Sequence, residues 1–293
     1  MGIPQIVYVF PVNSFKKSIV WGFDLIMLRV SVLVPTLNYG HFLSDNLSSI
    51  ASQIDEEKFE LQVVIQDGGS RDNTTEIVRD YSNRFPSMNI SFESRPDGSQ
   101  AVALNEALKR CDGDFIMWLN ADETLRPGAI SRLISTFKAD VETNLVVGNL
   151  THLDIESNVT KQQYRPWFPK FHIKHGMLSV TTCSMMVKRE CFDTFRFDSR
   201  LRGTLDLDFF SYLERKPGKW KHCNFIVAIN HLHPAQITYP GGNDFSEELN
   251  FLKNKYGISW GEKNFTPRFL YKFDCLISMI TYKFRRALLY LYS

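Results

Sequence analysis

The chain has 293 residues, 44% of them hydrophobic, enough to bury the core of one large domain or two small ones. Lys and Arg number 34 against 32 Asp and Glu, which excludes a global electrostatic pull toward nucleic acid. Five cysteines, none in a C-x-x-C pattern, argue for a reducing compartment and against a zinc site; Cys183 and Cys191 read as core or surface thiols.

Residues 1–26 precede the first clear strand. Their basic pair, Lys16-Lys17, sits mid-segment, the wrong order for a secretory signal, and Met27 stands directly before "LRVSVLV". Residues 1–26 are therefore expected to be an extension, native or not. Apolar runs then predict strands over 30–34, 61–65, 89–94 and 114–119. Helices are expected between them, over 41–53, 73–84 and 99–111, and Pro127 is expected to open another. This alternation predicts an α/β fold: a mostly parallel central sheet flanked by helices, with ligands at the C-terminal strand ends. After 150 the alternation weakens. Strand-like pieces at 145–150, 183–187 and 224–229 and helices at 205–214 and 245–255 read as an α+β continuation of the same sheet.

Each strand end delivers a polar loop. "PTLNYG" (35–40) places the Thr36 hydroxyl at a strand tip, with Pro35 and Asn38 restricting the turn. "QDGGSRDNT" (66–74) puts Asp67 at the next tip, where it can accept from a base N–H or a ribose hydroxyl; Gly68 and Gly69 allow close backbone approach, and Asp72 or Asn73 caps the helix. There is no G-K-[ST], so this is not a P-loop. In "RPDGSQ" (95–100), Arg95 adds charge and Asp97-Gly98-Ser99 opens a helix whose N-terminus attracts phosphate. "NADE" (120–123) brings carboxylate and amide oxygens that suit a divalent cation on a diphosphate. Asp122 is the expected ligand; Asn120 supplies an oxygen without charge. Later, Asp206 and Asp208 start an amphipathic helix, where a carboxylate serves either as a general base or as a partner of the helix dipole. "NHLHPAQIT" (230–238) offers His233 as a further metal ligand or phosphate contact, or as an ordinary exposed histidine. Taken singly, each loop also reads as an ordinary turn or helix cap.

In this order the loops "VSVLVPTLNYG", "VVIQDGGSRDNT", "RPDGSQAVALNEAL" and "GDFIMWLNADETLRPGAI" resemble the inverting nucleotide-diphosphate-sugar glycosyltransferases of family 2, with a GT-A fold. The likeness is close over 30–130 and looser over 180–240. It implies a domain over 27–260, with a nucleotide-sugar half (27–125) and an acceptor-side half (126–260). It implies that Pro35, Thr36, Asn38 and Asp67 hold the nucleoside, and that Arg95, Asp97, Gly98 and Gln100 lie along the ribose and diphosphate. Asn120-Ala121-Asp122 takes the D-x-D position, with Asn120 departing from the usual Asp. Asp206 matches the general base, and His233 a histidine near the metal. The implied cofactor is Mg²⁺ or Mn²⁺. The implied partners are a nucleotide-sugar donor and a glycan or lipid-linked acceptor, in cell-surface polysaccharide synthesis.

The segment 261–293 mixes aromatics with Lys272, Lys283, Arg285 and Arg286, and no run reaches the ~18 apolar residues of a spanning helix. It is expected to be amphipathic: lying on a membrane, packing on the core, or meeting another subunit. The chain is thus expected in the cytoplasm, peripheral at the inner face of the cell membrane. The aromatic, basic loop 164–176 offers Trp167 for sugar stacking or forms a mixed lid. Two other readings stay open: a non-catalytic relative that binds nucleotide, suggested by Asn120, and a Rossmann-type methyltransferase, disfavoured because the first strand leads to "PTLNYG" and not to a glycine-rich turn.

Overall fold

Strand β3 (Leu28–Thr36) is apolar on both faces because both faces are covered. In the computed structural model, which describes residues 18–20, 23–25, 27–55, 57–239, 243–260 and 265–291, Val30, Val32 and Val34 point to one core cluster and Leu33 to another. The first cluster is closed by α1 (Gly40–Ala51), α2 (Thr74–Arg84) and α4 (Ala129–Lys138). The second is closed by α3 (Gln100–Arg110), α6 (Leu205–Glu214) and α7 (Ser246–Tyr256). Most of the expected extension 1–26 lies outside the described residues. Within it, β1 (Ser18–Val20) pairs antiparallel with β2 (Phe23–Leu25).

The main sheet has nine strands. On one side, β5 (Ile90–Ser94), β4 (Phe59–Asp67), β3 and β6 (Phe115–Trp118) run parallel in that order. Antiparallel β10 (Met185–Lys188) joins β6 to β8 (Thr143–Asp154), which pairs in parallel with the long β11 (Lys219–Leu232). β7 (Glu123–Leu125) closes the order against β11, and β9 (Val159–Gln163) pairs with the far end of β8. The expected α/β layout is present, with the parallel run in the first half and mixed pairing in the second. β3 tolerates Pro35 because β6 pairs only as far as Leu33, so no neighbour needs the missing N–H there.

Pro127 does not open a helix. It stands in the turn between β7 and α4, which begins at Ala129 behind Gly128, whose φ is +73°. The sequence pattern did not mark β7, a three-residue strand held from outside the segment: Arg126 N donates to Val227 O, and Leu125 N to Ser49 Oγ. Helix α5 (Pro169–Lys174) also falls in a stretch read as a loop. Helix α8 (Phe265–Leu291) closes the chain.

Candidate active site

The parallel strands end together, and their loops are sewn to one another by short polar side chains. Thr36 and Asp67 are register partners at the tips of β3 and β4. The Asp67 carboxylate is buried and accepts from Ser70 N (2.9 Å), Ser70 Oγ (2.5 Å) and Ser94 Oγ (2.5 Å). Asn38, at φ +56°, joins the first two loops twice: its N–H donates to Ser70 Oγ (2.7 Å), and its Oδ1 accepts from Arg71 N (3.0 Å). Asp72 receives Gly40 N and caps α2 through Thr74 N. Within this corner the buried Thr36 Oγ1 has no hydrogen-bond partner in the protein.

The third loop folds back on the second. A Cβ on Gly68 would lie 3.2 Å from Asp97 Oδ1, so only glycine lets these loops meet without displacement. Burial, together with the nearby Asp67 charge, raises the Asp97 pKa. Gly98 takes φ +75° in open space, and Ser99 Oγ caps α3 by accepting from Val102 N (3.3 Å). The half-exposed Arg95 guanidinium pairs with Glu106 (2.9 Å) and Glu93 (3.4 Å).

The fourth loop is positioned by a polar stripe on α1. Asn46 is fully buried and donates to Asn120 O (2.9 Å) and Glu123 O (2.8 Å). One turn on, Ser49 Oγ accepts from Leu125 N, and just past the end of the helix Gln53 Nε2 donates to Arg126 O. The side chain of Asn120 is fixed as well. Its Oδ1 accepts from Trp118 Nε1 (2.9 Å) and Gln100 Nε2 (2.9 Å). Because the indole N–H can only donate, this orientation sets which end of the amide is oxygen. The oxygen is thus committed to the protein. The other polar atom of the side chain is the amide N–H₂. Ala121 is buried.

Asp122 and His233 meet. Both are buried, and His233 Nε2 lies 3.1 Å from Asp122 Oδ2. Gln236 Nε2 also donates to Asp122 Oδ2 (2.7 Å), and His231 Nδ1 to the Asp122 carbonyl (2.8 Å). The Phe42 ring packs 4.7 Å from the His233 ring and orients it. A carboxylate oxygen and an imidazole nitrogen this close fit one divalent cation that takes its remaining ligands from phosphate and water. Among the described residues there is no group of three or more His, Cys, Asp or Glu side chains that would hold a metal without a substrate.

Behind this pair the buried Glu123 accepts from Asn120 N (2.7 Å); burial and the Asp122 charge raise its pKa to about 8. Asp206, in the first turn of α6, is close enough to add to that effect. It keeps a solvent-facing edge, yet protein surrounds it so closely that burial raises its own pKa to about 6, against hydrogen bonds from the Leu207 and Asp206 amides and the charge of Arg165. Asp208 is different: fully buried, it accepts from Lys255 Nζ and Tyr256 Oη, each at 2.7 Å, and anchors α7 to α6. The half-buried Trp167 ring makes a T-shaped contact with His222, ring centroids 4.8 Å apart. Asn46, Gln236, Phe42 and Arg165 were not singled out in the sequence. Gln236 had a visible signal, three residues after His233 in the same loop, and Asn46 stood out as a polar residue in the buried stripe of α1.

The family model for glycosyl transferase family 2 matches residues 31–198, more than half of the chain. Chondroitin synthase of Escherichia coli is 25% identical over 230 residues, 78% of this chain and 31% of that protein. Hyaluronan synthase of Pasteurella multocida is 25% identical over 230 residues, 78% of this chain and 22% of that protein. The chain thus spans under a third of the length of these relatives. Among solved structures, TarS 1-349 of Staphylococcus aureus in complex with UDP-GlcNAc superposes with a TM-score of 0.63 at 15% identity, over 78% of this chain and 65% of that one. The mannosyltransferase PcManGT of Pyrobaculum calidifontis, in complex with GDP-Man and Mn²⁺, gives 0.55 at 18% identity, over 76% and 61%. These likenesses establish the GT-A fold, and the chain belongs to glycosyl transferase family 2, a glycosyltransferase by sequence and by architecture.

Proposed function

We propose that the chain transfers a sugar from a nucleotide-diphosphate sugar to a hydroxyl of a glycan or lipid-linked acceptor, with inversion, using Mg²⁺ or Mn²⁺, in the synthesis of a cell-surface polysaccharide. The observation that carries this reading is the buried Asp122–His233 pair at the end of β6, with the Asp206 carboxyl near the same loop. Neighbours whose complexes hold UDP-GlcNAc, or GDP-Man with Mn²⁺, support a donor of this class. Names such as chondroitin synthase support the polysaccharide context.

The residues divide the work by charge. Thr36 Oγ1 and the fixed Asp67 corner receive the nucleoside. Asp97, Gly98 and the capped start of α3 lie along the ribose and diphosphate, where backbone N–H groups suit phosphate oxygens. Gln100 acts through Asn120, whose amide faces the donor as a hydrogen-bond donor. Asp122 and His233 would hold the cation, which when bound offsets charge developing on the departing diphosphate. The bond from the anomeric carbon to the diphosphate oxygen breaks as the acceptor oxygen bonds from the opposite face. Asp206 takes the acceptor proton, and a carboxyl with a pKa of about 6 is a carboxylate at neutral pH, basic enough for that task. Residues 27–125 serve the donor and 126–260 the acceptor in this scheme, with 261–293 at the inner membrane face.

A second reading, nucleotide binding without transfer, is favoured by the committed Asn120 oxygen, which leaves the D-x-D position with one acid. One screen separates the readings: thermal unfolding with UDP, GDP, CDP or TDP, with and without Mn²⁺, followed by a donor-hydrolysis assay with the nucleotide that stabilises. Metal-dependent stabilisation with turnover supports transfer. Stabilisation without turnover for any donor supports the second reading, and no nucleotide effect at all sinks both.

A further inference from the structure

Helix α8 has three faces, and the site uses none of them. At about 100° per residue, Tyr271, Asp274, Ser278 and Thr281 share the side that meets the domain. There Asp274 accepts from Trp167 N (3.1 Å), Phe168 N (3.1 Å) and His172 Nε2 (3.0 Å), and Thr281 Oγ1 accepts from Asn224 Nδ2 (3.1 Å). The opposite side presents Phe269, Phe273, Leu276, Ile280 and Phe284, between 44% and 66% exposed. Lys272, Lys283 and Arg286 are exposed along one margin of that strip, and Asp274, the one acid among the described residues of the helix, is buried.

The strip does not stop at the helix. Phe168 and Phe171, 69% and 45% exposed at the start of α5, line an open groove of about 400 Å³ together with Leu270, Phe273 and Ile277. Its floor is the His172–Asp274 contact, so the two elements are locked in register. Lys174 is exposed on the same short helix, whereas Lys170 donates to the Lys216 and Gly218 carbonyls. A contiguous exposed apolar patch of this extent marks an interaction surface.

We propose that α5 and α8 together form one docking face for an anionic lipid bilayer, with the phenylalanines in the interface and the cations at the headgroups. This rests on the reading that the C-terminal segment meets a membrane, and adds to it a second element and a lipid charge. Charge decides the occupant: a margin of cations with no exposed acid repels a second copy of itself and complements an anionic surface. No described helix is long and apolar enough to cross a membrane, so the face lies on the bilayer.

The test is flotation of the full chain with vesicles of phosphatidylcholine alone and of phosphatidylcholine mixed with phosphatidylglycerol. Variants F168S/F171S and F273S/I280S are compared with wild type, with thermal unfolding as the control for folding. The expected result is binding to the anionic vesicles only, weakened by salt, and at least about tenfold weaker in each double variant at unchanged Tm. Loss in F273S/I280S with full binding in F168S/F171S would overturn the two-element face while leaving the helix at the membrane. Wild type that floats with neither vesicle overturns both, as does self-association by light scattering that either double variant abolishes.

Discussion

Asp67 and Asp122 are both buried acids beyond parallel strands that flank β3, at the tip of β4 and in the loop after β6, yet they are built in opposite ways. Asp67 draws its donors from Ser70 and Ser94, within 27 residues of it, and the corner closes on itself. Asp122 draws His231, His233 and Gln236 from more than 100 residues away, across β11. The first corner is a preformed socket. The second is a junction that exists only once the whole sheet has assembled. On the proposed reading, donor recognition is local, whereas the chemistry depends on the complete fold.

The comparison can be broken at four points. The largest effect is expected at the acceptor side of the junction. Asp206→Asn should lower transfer by ~10²–10⁴-fold while leaving nucleotide affinity within twofold, measured by steady-state kinetics and calorimetry; parallel loss of binding would make Asp206 structural. The wild-type rate should follow the same group. Asp206 accepts a proton only as the carboxylate, so kcat/KM should fall about tenfold per pH unit below about 6 and level off above it.

Next, Asp122→Ala should cost ~10²–10³-fold in rate and erase the metal response, with little change in the Tm of the ligand-free protein. Asp67→Ala should do the reverse. Removing the acceptor for three donors in a buried corner should cost about 1–3 kcal/mol of stability, seen in denaturant unfolding without ligand, and the metal response of the residual activity should survive. If both variants lose stability alike, the distinction between socket and junction fails. The smallest effect is expected for Asn120→Asp. With Trp118 and Gln100 holding one oxygen, the second would replace the amide N–H₂ beside Asp122, and half-saturation by Mn²⁺ should drop about threefold to tenfold. An unchanged Mn²⁺ curve would place Asn120 away from the cation.

The same contrast explains what the sequence disclosed. β3, β4, β5 and β6, their helices and the α6 span could be read from periodicity, because each buries a continuous or regularly spaced apolar set. Thr36, Asp67, Asp97 and Asp122 stood out because glycines and caps mark strand-end turns. β7 escaped because three residues carry no period, and their pairing is with β11, more than 100 residues on. Ser49 and Gln53 looked like ordinary polar positions on and just past a surface helix, and only the loop they hold reveals their use. Asp208 shows the converse: a charged residue in a promising motif found a structural partner, Lys255, that no local pattern announces.

The continuity of the sheet has a mechanical consequence. Donor-side β6 and β3 are hydrogen-bonded through β10 and β8 to β11, which leads directly to His233. A clamshell opening between the two halves would have to tear a ladder. On the proposed reading, rearrangement during a catalytic cycle is therefore confined to the rim above the strands, and the spacing between the Thr36–Asp67 corner and the Asp122–His233 pair would work as a fixed ruler for the length of diphosphate laid across it.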